Sequence, residues 1–170
     1  MSEKNLVING LEIRYSGIFN FDEFYGFLNH VLEERGYHKH EKRFEETVKP
    51  TGKDLFIELR PVKTKTSYFS FMLKIRIEIK NIKEVTVTVS DQPASFQEGD
   101  IFILFDAFAT TDYDQRWGMN PVPYFIKGFI HKYIYHFKLE EGFMGEVAGD
   151  CKYVHQQVKA HLNLYRYKTK

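Results

Sequence analysis

At 170 residues, with 24 Lys and Arg against 23 Asp and Glu, the chain has a formal charge of +1, so no global field draws it to nucleic acid or to an acidic membrane surface. Its one cysteine, Cys151, excludes an internal disulfide and any multi-cysteine zinc site and points to a reducing compartment. No stretch approaches the roughly 20 apolar residues that span a bilayer, and the charged start Met1-Ser2-Glu3-Lys4-Asn5 lacks the apolar core of a secretory signal, so the expected location is the cytoplasm.

Residues 6–19 open with alternating apolar positions, Leu11, Ile13 and Tyr15, and hold the turn signal Asn9-Gly10, which predicts a first strand or a hairpin. A helix over 20–35 follows. Asn20 can cap it, Glu23 completes a capping box and Phe19 with Phe24 forms a hydrophobic staple. Phe24, Phe27, Leu28, Val31 and Leu32 then recur at helical spacing, and Gly36 supplies the left-handed stop.

Beyond the helix the pattern turns to strands, weakly at 41–48 and clearly at 55–60, where Pro61 argues for an edge or a bulge. Phe69, Phe71, Leu73, Ile75, Ile77 and Ile79 alternate with mostly polar residues to predict a half-wet strand, and Val85, Val87 and Val89 predict another. The polar stretch 91–95 with Gly99-Asp100 should turn the chain into a strand from Ile101 to Phe108, apolar on both faces. Residues 110–121 read as a loop, and Pro123 opens a second helix with Phe125, Phe129, Ile130, Tyr133, Ile134 and Phe137 on one face. A glycine-bearing connection, 140–149, then leads to a last helix capped by Asp150.

This order predicts a single α+β domain over 1–170, a curved antiparallel β-sheet with a long N-terminal helix and two C-terminal helices packed on one side. The order of elements is similar to that of helix-grip proteins, whose sheet wraps a long helix around a hydrophobic cavity. The segments 36–43, 111–117 and 158–167 resemble an uncharacterised family of small archaeal proteins, a resemblance that runs over most of the chain and implies no activity.

Aromatic residues make up 16% of the chain, which argues against disorder and for an aromatic core or an aromatic-lined pocket. No Gly-rich phosphate loop and no serine elbow occurs, and Cys151 falls on the dry face of a predicted helix, where thiols are inert packing. No catalytic residue and no cofactor is assigned. His38 and His40 form the best metal pair, with Glu41 or Glu46 in reach, but two ligands do not close a site. His131, His136, His155 and His161 do not share helix faces well.

Asp106 stands among Phe102, Leu104 and Phe108, where a carboxylate needs a partner. The structural solution is an ion pair with Arg76 or Lys74; the functional one is a pocket carboxylate. In the 110–121 loop, Asp112, Tyr113, Asp114, Arg116 and Trp117 mix aromatic area with both charges, as binding sites do. The expected function is therefore an interaction or binding protein for an unknown protein or a small apolar ligand, acting through an aromatic-lined cavity or that loop. Two alternatives stand beside it: a small acid–base enzyme using Asp106, Asp112 and Asp114 with a neighbouring His, and a weak RNA-binding module using Arg166 and Lys168 with Lys152 and Lys159. The near-zero charge disfavours nucleic acid, and no membrane partner is expected.

Overall fold

In the computed structural model, which describes residues 3–66, 69–89, 91–111 and 139–168, the elements run β1 (Glu3–Phe19), α1 (Phe21–Glu34), β2 (Glu41–Lys49), β3 (Gly52–Leu59), β4 (Val62–Thr64), β5 (Phe69–Val89), β6 (Gln92–Thr111) and α2 (Leu139–Lys168). All strand pairs are antiparallel in one sheet of order β1-β6-β5-β3-β2, with β4 also on β5. The fold is therefore α+β, but the helices differ from expectation. The chain starts with a strand of 17 residues, the first helix has only 14, and the C-terminal described residues form a single helix of 30. The helix expected from Pro123 lies outside the described residues.

The ends of α1 follow the local chemistry. Asn20 accepts a hydrogen bond from the Glu23 amide at 3.0 Å, and Gly36, at φ 79°, lets Gly36 N–H reach Glu33 O and Tyr37 N–H reach Leu32 O. Those two bonds close the last turn in the manner that a left-handed glycine permits.

Three strand readings are corrected. Asn9-Gly10 is not a hairpin turn: β1 continues through it, and the left-handed Gly10 takes up irregularities between Leu6 and Leu11 in the ladder with β6. Residues 69–80 and 85–89 are one strand, because Asn81, with φ 56°, absorbs a bulge between Lys80 and Lys83 and pairing with β6 resumes beyond it. Gly99 faces that bulge, and a Cβ on it would lie 2.9 Å from Lys80 O. Gly99-Asp100 is thus the close approach that lets β5 bend, not a turn, and β6 begins at Gln92. Pro61 sits at the break between β3 and β4, where its carbonyl accepts from Leu73 N–H.

The 140–149 connection is also overturned. Gly142, Gly145 and Gly149 are helical, and Asp150 sits well inside α2 instead of capping it. Tertiary anchors override the weak local propensity. Lys63 contacts Asp150 at 2.9 Å and Glu146 at 3.3 Å, and Lys65 contacts Glu146 at 2.9 Å.

One side of the sheet is dry. Ile13, Tyr15, Leu55, Ile57, Leu59, Phe71, Leu73, Ile75, Ile77, Ile79, Ile101, Ile103 and Phe105 are buried in one cluster with Phe24, Leu28, Val31 and Leu32 of α1 and with Val147, Cys151, Val154, Val158, Leu162 and Tyr165 of α2. The alternation of each strand puts these residues on a common face. The helices meet through Phe27 and His161, whose rings stack at 4.2 Å. On the opposite side Phe102, Leu104 and Phe108 are half-buried.

Candidate functional site

The core cover stops short of one edge of the sheet. β3 turns Leu55 and Ile57 toward α1, and the register with β2 puts Phe44 beside Ile57, Glu46 beside Leu55 and Val48 beside Lys53 on that same face. Yet every residue of β2 is exposed, Phe44 at 50% and Val48 at 72%. Between this uncovered hairpin and the first turn of α1 lies an open groove of about 680 Å³, lined by Phe21, Phe44, Val48, Leu55 and Ile82. Lys49, Lys53 and Lys83 face Asp22, Glu46 and Glu84 around it.

Several contacts fix the walls. The amide of Phe21 donates to Gln97 Oε1 at 3.0 Å, which ties the start of α1 to β6. On the other side the Asn81 amide donates to Asp54 Oδ1 at 3.0 Å, and Lys49 pairs with the same carboxylate. The hydrogen bond from Lys49 and that from Asn81 hold the Asp54 carboxyl below its ordinary range. A Cβ on Gly52 would lie 2.9 Å from Ile82 O, so the hairpin turn is pressed directly onto the β5 bulge. The groove walls are thus held by the Gln97 and Asp54 side chains on backbone amides and by the close approach of Gly52 to β5.

Asp106 is 5% exposed and has two partners. Its Oδ1 accepts from Gly10 N–H at 2.9 Å and its Oδ2 from Arg76 Nη2 at 2.9 Å. Of the two partners expected from the sequence, the ion pair forms with Arg76, diagonal to Asp106, and not with Lys74, which is directly opposite Asp106 in the ladder. These contacts account for the buried carboxylate without a ligand. Asp112, Tyr113, Asp114, Arg116 and Trp117 lie outside the described residues, as do His131 and His136.

His38 bridges to Val62 through its backbone, and His40 accepts from Arg60 N–H through its carbonyl. Both side chains are exposed, and no group of three or more metal-ligating side chains occurs among the described residues. A second polar centre joins Asp150, 4% exposed, to Lys63, to Tyr37 Oη at 3.2 Å and to Arg35 at 3.7 Å. Burial, then the charge of Asp150 beside it, pushes the Tyr37 phenol up, so it stays a proton donor. Burial likewise pushes the Cys151 thiol up to about 12, which leaves no thiolate for chemistry near neutrality. The centre ties α2 to β4 and to the end of α1.

Of the basic C-terminal residues, Arg166 has a ring contact. Arg166 lies 5.3 Å over the Tyr15 ring, and it shares a shallow depression with Arg14 and Lys80 opposite Glu78 and Asp100. The cations there are interleaved with acids, unlike the one-sign stripe that tracks a phosphate backbone.

No family model, curated protein or solved structure matches the chain. The functional reading rests on geometry. The groove residues Phe44 and Val48 escaped the sequence reading because 41–48 is a weak, charge-rich strand. The available signal was two apolar side chains four apart in that strand, both on the face that β3 turns to the core.

Proposed function

We propose that the chain is a non-catalytic binding protein that takes a small apolar ligand in the groove between the β2–β3 hairpin and the start of α1. The observation that carries this reading is the exposure of Phe44 and Val48 on the same face as the buried Ile57 and Leu55, over a groove with rigidly tied walls. Apolar side chains held open to water lose free energy that a ligand restores. A volume of about 680 Å³ is that of sites for drug-sized molecules, and a rim of three lysines and three carboxylates, with no net charge, suits a ligand with at most one polar end. The sheet order, with a long C-terminal helix packed on the dry face, also supports a helix-grip arrangement, in which ligands lie between helix and sheet.

Fluorescence titration with an environment-sensitive naphthalene dye tests the reading. The wild type should bind saturably, and Val48→Asp, which places a charge in the groove, should weaken binding about tenfold or more. Because Val48 is exposed, the melting curve should stay in place. Equal affinity in the two proteins would remove the groove as the binding site.

A further inference from the structure

β2 ends the sheet on its side among the described residues, pairing with β3 alone. Its outward backbone groups form the kind of open edge that another strand can extend. Natural edges are guarded by charges, and β2 is rich in them, but here their order matters more than their number.

We propose that two copies of this chain join edge to edge through β2, antiparallel about a two-fold axis at Phe44. A two-fold axis perpendicular to a sheet keeps each side chain on its own face, so each such register centres on one residue and pairs residues at equal distances before and after it. Centred on Phe44, the register sets Phe44 against Phe44 of the second copy and Arg43 against Glu45, the second pair occurring twice. Every contact is aromatic on aromatic or cation on anion, the combinations that stabilise directly opposed strand positions.

The neighbouring registers fail. Centring on Arg43 sets Arg43 against itself and Glu41 against Glu45; centring on Glu45 sets that carboxylate against itself and Phe44 against Glu46. Centring on Glu46 opposes Glu46 to itself and Arg43 to Lys49. Like charges directly opposed are destabilising. Of the registers centred on residues 43 to 46, only that on Phe44 opposes no like charges, so charges that would otherwise guard the edge specify its partner.

The free chain gives up little to pair. Arg43 now contacts its own Glu45 at 2.6 Å and Glu46 contacts Lys53 at 3.5 Å, all four side chains being between 45% and 58% exposed, and exposed pairs of this kind contribute little. The bulge between Glu41 and Arg43 leaves Lys42 outside the regular ladder, so the new pairing is confined to residues 43–45. An interface of three residues a side falls below the area of a tight complex. The dimer is accordingly weak, concentration-dependent and loosened by salt. Phe44, at the two-fold axis, lies on the groove face, whereas Arg43 and Glu45, the residues the test changes, lie on the sheet face opposite to it.

Sedimentation equilibrium of the whole chain over a concentration series tests it. The wild type should approach twice the 20.2 kDa chain mass at high concentration in low salt. Arg43→Glu alone and Glu45→Arg alone should each stay at the monomer mass at the same concentrations. The double variant Arg43→Glu/Glu45→Arg should dimerise again, and an equimolar mixture of the two single variants should form a heterodimer, because each then supplies the charges the other lacks. Unchanged dye binding by the single variants keeps this result separate from the groove reading. A wild type that remains monomeric, dimers that persist in the single variants, or a failure of both the double variant and the mixture to associate would each overturn the proposal.

Discussion

β6 and β2 are both antiparallel strands with alternating side chains, and they meet opposite fates. β6 lies between β1 and β5, with Ile101, Ile103 and Phe105 under the helices and almost fully buried. β2 lies at the rim, where α1 meets its first residue through the hydrogen bond that Tyr25 Oη donates to Glu41 Oε2 and leaves the rest of the strand exposed. The contrast separates pairing from burial. Backbone hydrogen bonds suffice to place β2 in the sheet, whereas its side chains contribute little because all of them stay exposed. Stability should therefore be concentrated on the β1-β6-β5 side, and recognition on the β2 side.

The sharpest way to break this contrast is to truncate one aromatic on each strand. Phe105→Ala removes a ring with no exposure and should cost about 3–5 kcal/mol in urea unfolding. Phe44→Ala removes a half-exposed ring and should cost under about 1 kcal/mol. Equal losses would mean that β2 is as much part of the core as β6.

A smaller effect sharpens the account of the covered half. Asp106→Asn should lower stability by about 2 kcal/mol, less than for a fully buried pair because the Arg76 side chain is 35% exposed. With Arg76→Met already present, the same change should cost at least about 1 kcal/mol less. Additive losses would show that the Gly10 amide, and not Arg76, is what Asp106 serves.

What could be read in the sequence follows the range of the forces involved. The boundaries of α1 were legible because Asn20 and Gly36 act within one turn of themselves. The dry face of β5 was legible from its alternation. The Asp106–Arg76 pair was legible because a carboxylate on an apolar strand face needs a cation at cross-strand distance. The continuity of β5 through Asn81 was not, since it depends on Gly99, a strand away, leaving room for the bulge. Nor was the groove, which lies between the first turn of α1, where Gln97 holds Phe21, and the exposed Phe44 and Val48. Such features depend on distances between elements that no local pattern encodes.

The start of α2 makes the same point with the smallest expected effect. Gly142, Gly145 and Gly149 lower the helix propensity of its first turns enough to make residues 140–149 read as a connection. The helix forms regardless, held by Lys63 and Lys65 on Glu146 and by Lys63 on Asp150. If those anchors act against propensity, the glycines are a local cost and not a packing requirement. Geometry agrees, since Gly145 and Gly149 are exposed and a Cβ on either meets nothing described within 4 Å. Alanine at each site should then raise stability by about 0.5–1 kcal/mol, chiefly by restricting the unfolded chain. The gains should add, because neither methyl group touches a shared partner. Thermal melts of Gly145→Ala, Gly149→Ala and the double variant provide the measurement. A loss of stability at either position would mean that the glycine serves a close approach, and that the first turns of α2 are set by that contact and not by the lysine anchors.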